Sequence, residues 1–320
     1  MKKIIIVSGD PNSINSEIIL KSWKKISNSL KKKIYLVSNY NLIKDQAQKL
    51  KISIKICKVK STKDLISDYS LKIIDVNLKY SKAFNVSFKQ ASKFVNKSLN
   101  LAHYLTLKKN TLGLINCPID KKLLQKKNFG VTEFLASKCR VKNNSEVMLI
   151  RNRKFSVSPI TTHIDIKNIS KNLRPKIIVN KIKVINDFFK KYFKQKPKIG
   201  ILGLNPHNSE MRRDSEEKKI ILPAILKLKK MGVTLSGPLV SDTLFIKEYK
   251  NYDVIVGMYH DQVLTPFKTI FKFDAINVTL GLEYLRASPD HGVAKKLVLR
   301  NKANPKSLIE CIKFINRYGI

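Results

Sequence analysis

Three of the five histidines follow apolar segments that are predicted to be β-strands. His163 stands in ITTHID, His207 in GLNPH and His260 in GMYHDQ. Neutral imidazole is the commonest protein ligand for zinc and similar ions, and a set of three leaves coordination positions open for substrate oxygens. The three histidines lie far apart along the chain, so no local motif joins them. Each could instead act as a base, or only cap or pack a strand end.

Other side chains that could do chemistry follow His260. Residues 260–292 contain Lys268, Asn277 and Arg286 among apolar stretches. Lysine and arginine in such surroundings can bind a phosphate or a carboxylate, although in a chain with 54 lysines any one of them can equally be solvated surface. Asp242, in SGPLVSDT, could orient a hydroxyl or relay a proton, and it is equally natural as a turn residue or helix cap.

The segment SGDPNSINSE (8–17) has the character of a strand-to-helix turn that could receive an anion on helix amides. It is not the G-x-G-x-x-G fingerprint of dinucleotide-binding proteins. The sequence also contains no P-loop, G-x-S-x-G or H-E-x-x-H motif. The common local motifs therefore do not assign an activity.

Short apolar segments alternate with helical patterns along the whole chain. This alternation predicts an α/β fold with a mainly parallel sheet and helices on both faces, and ligands bind at the carboxyl ends of such strands. Ser16 is predicted to cap the helix that follows the first strand. The predicted strands span residues 2–8, 33–38, 52–59, 112–118, 198–206 and 252–259.

The middle of the chain has a different pattern. Residues 145–163 alternate in a way that predicts antiparallel strands, and residues 174–198 predict a long helix between Pro175 and Pro197. These segments indicate a central inserted subdomain. We expect one α/β domain from residues 1–130 plus about 255–320, and a second α/β subdomain with dimer-forming elements from about 131–254.

The formal net charge of +40 invites a nucleic-acid-binding interpretation. However, 54 of the 63 basic residues are lysine, only nine are arginine, and the lysines occur in every segment. Arginine is the usual reader of base edges, and nucleic-acid-binding proteins concentrate their charge on one face or tail. We therefore expect no specific nucleic-acid partner, and an electrostatic field that attracts anionic metabolites.

The apolar segments are too short for a membrane span, which needs roughly 18 consecutive apolar residues, and the N-terminal IIIV is too short for a signal peptide. We therefore expect a cytoplasmic protein without a membrane partner. The cysteines are predicted to be buried, reduced thiols because no two form a C-x-x-C pair. They are Cys57, Cys117, Cys139 and Cys311.

Six segments together resemble the 4-hydroxythreonine-4-phosphate dehydrogenases of pyridoxal phosphate biosynthesis. They are GDPNSINSEI, TTHIDI, GLNPHNSE, GPLVSDTLF, MYHDQVLTPFK and VTLGLEYLRASPDHGVA. Their order and spacing agree with that family over nearly the whole chain. MYHDQ-LTPFK in combination with GLNPH is the specific part of the resemblance.

The resemblance implies an α/β fold like that of isocitrate and isopropylmalate dehydrogenases, and a homodimer with the active site at the subunit interface. It also implies NAD or NADP as hydride acceptor and one divalent metal ion, zinc, magnesium or cobalt, acting as a Lewis acid. The expected substrate is a small phosphorylated hydroxy-amino acid, 4-phosphohydroxy-L-threonine. Its oxidation gives a β-keto acid, and decarboxylation then gives 3-amino-2-oxopropyl phosphate.

The resemblance also implies roles for individual residues. The expected metal ligands are His163, His207 and His260, and Asp242 is a candidate catalytic residue. The DHGVA loop is the region expected to bind the cofactor. The expected substrate contacts are Lys268, Asn277, Arg286 and, in GVTEF, Thr132.

Several positions depart from the family pattern. Val131 stands where the family has histidine, which removes one polar substrate contact, and Val263 replaces a glycine. The other departures are Ser13, Asn15, Ser16, Ala287 and Val293. Val131 leaves one alternative to the leading function, a paralogous dehydrogenase of a related four-carbon sugar-acid phosphate. The net charge of +40 leaves a second alternative, a basic polyanion-binding protein on a dehydrogenase scaffold.

Overall fold

The computed structural model describes residues 1–64, 66, 68–124, 130–139, 141, 146–272 and 274–319. The strands, in chain order, are β1 (Lys3–Val7), β2 (Ile34–Ser38), β3 (Ile56–Val59), β4 (Leu71–Asp75), β5 (Thr111–Asn116), β6 (Val147–Arg151), β7 (Ser156–Thr161), β8 (Ile199–Leu202), β9 (Leu235–Leu239), β10 (Val254–Tyr259), β11 (Ile276–Leu280) and β12 (Arg286–Pro289). The α-helices are α1 (Asn15–Lys25), α2 (Asn28–Lys33), α3 (Tyr40–Lys49), α4 (Phe88–Thr106), α5 (Val131–Lys138), α6 (Ile169–Asn172), α7 (Pro175–Phe188), α8 (Leu222–Lys230), α9 (Ser241–Leu244), α10 (His260–Phe271) and α11 (Lys306–Tyr318).

The chain forms two compact units. The first unit contains Met1–Arg140 and Leu282–Ile320, and the second contains Val141–Gly281. Each unit has its own strands and helices.

In the first unit the strands lie in the order β3-β4-β2-β1-β5-β12. All their pairings are parallel. Strand β1, with the sequence KIIIV, is buried along its whole length, as expected for a central strand of a parallel sheet. Helix α4 packs on β1, β2 and β5, and α11 packs on β1, β5 and β12.

In the second unit the order is β11-β6-β7-β10-β8-β9. Strands β7, β10, β8 and β9 are parallel neighbours, whereas β6 runs antiparallel to both β7 and β11. The prediction of a mainly parallel α/β fold is confirmed, and so is the antiparallel pair within residues 145–163.

Two local predictions are wrong. Helix α1 begins at Asn15 with Ile14 at the capping position, so Ser16 lies inside the first turn and does not cap the helix. The long helix predicted for residues 174–198 is an α-helix only to Phe188 and continues as a π-helical segment, Phe189–Phe193. Lys194 then takes a left-handed conformation, with φ of 58°, which ends the helix.

Two other sequence expectations concern cysteines and membranes. Cys117, Cys139 and Cys311 are buried free thiols, but Cys57 is only half-buried, so the prediction is wrong for that residue. Cys57 lies on β3, the strand at the edge of the first unit's strand order, where fewer neighbours cover it. Among the described residues, no helix is both long enough and apolar enough to cross a membrane.

Candidate functional site

In the second unit, polar residues follow the carboxyl ends of four parallel strands. Strands β7, β10, β8 and β9 are neighbours in that order and run in one direction, so their carboxyl ends share one edge. His163 follows the end of β7 by two residues, and His260 follows β10 directly as the first residue of α10. His207 and Asp242 follow β8 and β9. The sequence-predicted residues with metal-binding or proton-transfer chemistry thus come from four neighbouring strand ends.

His163 and His260 are the pair that the structure brings together. Their ring centroids are 5.9 Å apart, with 35° between the ring planes. The Nδ1 atom of His260 lies 2.7 Å from Oδ1 of Asp261. A proton on Nδ1 donates to this carboxylate and leaves the Nε2 lone pair available to a ligand. Asp261 is therefore placed to orient the ring of His260.

His207 lies in an unusual turn. His207 and the four residues that follow it, through Met211, all have φ between 45° and 56°. None of the five is glycine, the residue that adopts this left-handed conformation at little cost. The side chain of His207 is exposed.

The three imidazoles fit a metal site only in part. Two of them are adjacent, and imidazole nitrogens suit zinc, cobalt and related ions. However, the described residues include no group of three or more histidine, cysteine, aspartate or glutamate side chains arranged to hold a metal ion. His207, on its left-handed turn, does not complete the set.

Glu217 fixes the chain just before His207, a role that sequence reasoning missed. Its side chain is fully buried, and Oε1 accepts hydrogen bonds from the backbone N–H groups of Leu204 and Asn205, both at 2.8 Å. The side-chain amide of Asn205 donates to Glu217 and, at 2.9 Å, to Glu216. Burial alone would raise the pKa of Glu217, but the hydrogen bonds from Asn205 and Leu204 outweigh it and the pKa is lowered.

Asn277 lies away from the imidazoles within the second unit. On β11 it pairs with Ile150, which pairs with Val157, four residues before the end of β7. At about 3.3 Å per residue, that level is about 13 Å from the strand ends. The Oδ1 atom of Asn277 is buried and has no hydrogen-bond partner in the described part of the chain, as expected of a group that awaits a ligand.

Lys268 is also displaced from the strand ends. It lies eight residues after His260 on α10, which corresponds to about 12 Å along the helix axis. The residue is half-buried. Asp242, by contrast, is exposed in the first turn of α9, at the strand-end edge. The second unit therefore places Asp242 and the histidines at one edge, and Lys268 and Asn277 at a lower level.

Arg286 is the central polar residue of the first unit. It is the first residue of β12 and is only 3% exposed. Its Nε donates to Oδ1 of Asn116 at 2.8 Å, and Nη1 donates to Oγ1 of Thr132 at 3.3 Å. Burial lowers the pKa of Arg286 to about 10, so the guanidinium remains charged at neutral pH. The structure thus brings together the two sequence-predicted residues Thr132 and Arg286.

Asn116 orients this guanidinium, and sequence reasoning missed it. It is the last residue of β5, the strand that pairs with β12 through Arg286 and Leu114. The signal that could have identified it is its place at the end of an apolar strand, directly before Cys117-Pro118. Two residues before Arg286, the hydroxyl of Tyr284 lies 2.9 Å from Nδ1 of His103, and burial raises the pKa of Tyr284.

The departures from the family pattern have different surroundings. Val131 is the first residue of α5 and is half-buried beside Thr132 in the chain. Val263 is fully buried in a cluster with Ile255 and Phe267, so its substitution acts in the core of the second unit. Ala287 is fully buried on β12. Val131 and Ala287 therefore each adjoin a sequence-predicted substrate contact, Thr132 and Arg286, and of these two departures only Val131 is partly exposed.

Two of the three departures in the first loop, Ser13 and Asn15, form hydrogen bonds to nearby backbone carbonyls, whereas the buried hydroxyl of Ser16 has no partner in the described part of the chain. The amide of Asn15 donates to the carbonyls of Ser8 and Pro118 at 2.8 and 2.7 Å. Ser13 donates from its hydroxyl to the carbonyl of Asp10 at 2.6 Å. The carbonyl of Val293, in the DHGVA loop, accepts from the backbone N–H of Ile14 at 3.3 Å. This bond ties the loop to the start of α1.

Comparison with known proteins extends over the whole chain. Residues 29–315 match the model of the family described as pyridoxal phosphate biosynthetic protein PdxA. A 4-hydroxythreonine-4-phosphate dehydrogenase from Sulfurihydrogenibium is 36% identical, with 98% of this chain and 97% of the relative covered. One from Aquifex aeolicus is 34% identical over the same shares of the two chains.

A solved structure is similar over the same extent. The crystal structure of 4-hydroxythreonine-4-phosphate dehydrogenase from Klebsiella pneumoniae has a TM-score of 0.85 and 27% identity, with 99% of each chain covered. The chain belongs to the PdxA family of pyridoxal phosphate biosynthetic proteins.

Proposed function

We propose that this protein oxidises 4-phosphohydroxy-L-threonine in the biosynthesis of pyridoxal phosphate, and that the β-keto acid formed loses carbon dioxide to give 3-amino-2-oxopropyl phosphate. The full-length similarity to relatives named 4-hydroxythreonine-4-phosphate dehydrogenase carries this proposal. The bound NAD or NADP would accept the hydride. A homodimeric assembly and a cytoplasmic location belong to the same proposal and rest on the family resemblance.

Arg286 and Thr132 are proposed to bind an anionic group of the substrate in the first unit. The guanidinium is buried and charged, and Asn116 holds it through Nε. A guanidinium presents a planar fork of donors that matches a phosphate or a carboxylate. Because Asn116 fixes the orientation of this fork, substrate binding does not have to order the arginine side chain.

Lys268 and Asn277 are proposed to make further substrate contacts from the second unit. Asn277 supports this role through its buried Oδ1, which lacks a partner in the described part of the chain and can accept a hydrogen bond from a hydroxyl or ammonium group. Lys268 contributes a point charge that suits phosphate. The two side chains lie at a similar level relative to the strand ends, as the sheet register and the helix rise indicate.

The three histidines are proposed to bind one divalent metal ion, such as zinc, magnesium or cobalt. The adjacent rings of His163 and His260 support this role, together with the Asp261 carboxylate on the second nitrogen of His260. Such an ion would supply Lewis-acid chemistry for a substrate hydroxyl.

Asp242 is proposed to receive the proton that leaves the substrate hydroxyl. It lies at the strand-end edge, and its exposed carboxylate can pass the proton to water. The DHGVA loop, residues 290–294, is proposed to contact the nicotinamide cofactor. Its hydrogen bond to Ile14 connects it to the turn before α1, where helix amides favour negatively charged groups.

An assay of the purified, metal-supplemented protein tests this function. Formation of NADH or NADPH from 4-phosphohydroxy-L-threonine is expected, together with release of carbon dioxide. Replacing His260 by alanine should reduce the rate to background, whereas Gln195→Leu, on the exposed surface of the same unit, should leave it unchanged. Equal reduction of the cofactor by wild type and His260→Ala would refute the proposal.

A second candidate substrate is favoured by Val131. This residue stands directly before Thr132 and is half-buried, where an apolar side chain offers no hydrogen bond to an amino group. A paralogous enzyme would oxidise a four-carbon sugar-acid phosphate such as erythronate 4-phosphate. Faster turnover of erythronate 4-phosphate than of 4-phosphohydroxy-L-threonine, measured at equal concentrations, would select this alternative.

A further inference from the structure

Gln262, in the first turn of α10, makes three short hydrogen bonds that connect three strands of the second unit. Its Oε1 accepts from the backbone N–H of Met258 at 2.6 Å. Its Nε2 donates to the carbonyl of Gly203 at 2.7 Å and to Oγ of Ser241 at 2.8 Å. An N–H donor at one end and a carbonyl at the other fix the orientation of the amide. We call these four residues the Gln262 clamp.

The clamp begins where the pairing of two strands stops. Strands β10 and β8 are in register from Val254 to Val256, and β8 ends at Leu202. The backbone N–H of Met258 lies two residues beyond Val256, the last residue of β10 that pairs with β8. The side chain of Gln262 takes this N–H and reaches across to Gly203, so it continues the connection between the two strands past the end of the ladder.

A fourth strand is connected through the same residue, Met258. Thr161, the last residue of β7, donates from Oγ1 to the carbonyl of Met258 at 2.7 Å. The peptide groups of Met258 are therefore bonded to Gln262 on one side and to Thr161 on the other. The connected residues run across the ends of β7, β10, β8 and β9 in their spatial order.

Each point held by this network is close in sequence to a candidate functional residue. Thr161 precedes His163 by two residues, and Met258 precedes His260 by two. On the other two strands, Ser241 directly precedes Asp242, and Gly203 precedes His207 by four residues. A shift of one strand end would therefore change the distances among the candidate imidazoles and Asp242.

Gly257 provides the space that the clamp needs. A Cβ atom at position 257 would lie 2.9 Å from Oε1 of Gln262 and 2.6 Å from Cγ1 of Val263, closer than carbon atoms approach such neighbours. The glycine before Met258 thus lets Gln262 fold back onto β10. Val263, fully buried, fills the adjacent core volume.

We propose that Gln262 is a positioning residue that sets the spacing of His163, His207, His260 and Asp242 by joining the carboxyl ends of their strands. The assignment rests on the proposed function for its catalytic consequence, but the clamp itself is a property of the second unit. Gln262 need not contact the substrate, because it acts through the strand ends that it holds.

Two substitutions separate the parts of the clamp. Gln262→Glu keeps an acceptor for the N–H of Met258 but removes the amide donor, so the link to the carbonyl of Gly203 is lost, whereas the Ser241 hydroxyl has to reverse its bond and donate to the carboxylate. Ser241→Ala removes one link and keeps the glutamine, which provides a milder variant if Gln262→Glu folds poorly. Gln195→Leu is the matched control, because Gln195 is an exposed glutamine of the same unit with one long contact, 3.4 Å to Asp253.

The measurements are steady-state kinetics with 4-phosphohydroxy-L-threonine, amide hydrogen exchange and the thermal midpoint. For Gln262→Glu we expect kcat to fall about 10- to 100-fold, as for other residues that orient functional groups, with KM within about threefold of wild type. Exchange should rise about tenfold in residues 203–205, with a smaller rise in residues 241–243, while the amide of Met258 stays protected. Ser241→Ala should show smaller changes of the same kind, and Gln195→Leu none.

Two results would overturn the proposal. One is kcat within twofold of wild type in both Gln262→Glu and Ser241→Ala. The other is a loss of kcat that accompanies a large fall in the thermal midpoint and uniformly faster exchange across residues 146–272, which would make Gln262 a residue of general stability. If the wild-type protein does not oxidise the substrate, the proposed function fails, and exchange confined to the two segments still decides whether the clamp exists.

Discussion

Replacing Ser209 by glycine is expected to stabilise the second unit. Ser209 lies in the turn that carries His207 and has φ of 50° and ψ of 34°, in the left-handed region. A residue with a Cβ atom in that region costs roughly 1–2 kcal/mol relative to the right-handed conformation. Glycine avoids this cost but loses about 0.5–1 kcal/mol more conformational entropy on folding. The free energy of unfolding should therefore rise by about 0.5–1 kcal/mol.

Urea denaturation and thermal unfolding measure this change. For a unit of this size, about 1 kcal/mol corresponds to a shift of about 3 °C in Tm. The matched control is Ser209→Ala, which removes the hydroxyl but keeps Cβ, so it should not gain stability. If the glycine and alanine variants unfold at the same midpoint, or if the glycine variant is less stable than wild type, the argument from backbone strain is refuted.

Three further predictions follow from contacts described above. Arg286→Lys keeps the charge but loses the bonds to Asn116 and Thr132, so KM for the phosphorylated substrate should rise about tenfold or more in steady-state kinetics; an unchanged KM would exclude Arg286 from substrate binding. Glu217→Gln should lower the free energy of unfolding by about 2–3 kcal/mol at pH 7. Because the pKa of Glu217 is lowered in the folded state, its stabilisation is fully present only above the unfolded-state pKa, so the difference between variant and wild type should shrink as the pH falls below about 4.3. Urea titrations at several pH values test this, and a difference independent of pH would contradict it. Gly232→Ala places a side chain in open space but at φ of 74°, so it should lower stability by about 1 kcal/mol in the same assay, and no loss would show that this conformation is not maintained.

The strands that the sequence predicts are those with long apolar segments. IIIV in β1 and VIVGMY in β10 have few alternatives to a buried strand. Four strands are not predicted: β4, β9, β11 and β12. Of these, β9 (LSGPL) and β12 (RASP) are short and contain proline with glycine or charged residues. Their strand conformation depends on pairing with β8 and β5, and that pairing is not visible in local pattern.

For the candidate site too, the sequence predicts local features but not the arrangement of the strands. Local alternation locates the ends of β7 and β10, so the sequence predicts that His163 and His260 follow strand ends. Their separation of 5.9 Å depends on β7 and β10 being neighbours, although almost one hundred residues lie between them in the chain. Strand order follows from long-range packing. The three-histidine metal site itself stays a prediction.

The turn at His207 shows why local preference alone would miss the geometry of the site. The sequence HNSEM contains no glycine, so it does not predict five left-handed residues. Contacts from outside the turn oppose this preference: Glu217 holds the backbone of Leu204 and Asn205, and the amide of Asn208 donates to the carbonyl of Pro238 at 3.1 Å. Because these contacts do not involve the side chain of Ser209, glycine at that position should change the stability of the turn without changing its path. Glu217→Ala, in contrast, removes the acceptor for both backbone N–H groups, so it should alter the position of His207 even where Ser209→Gly does not.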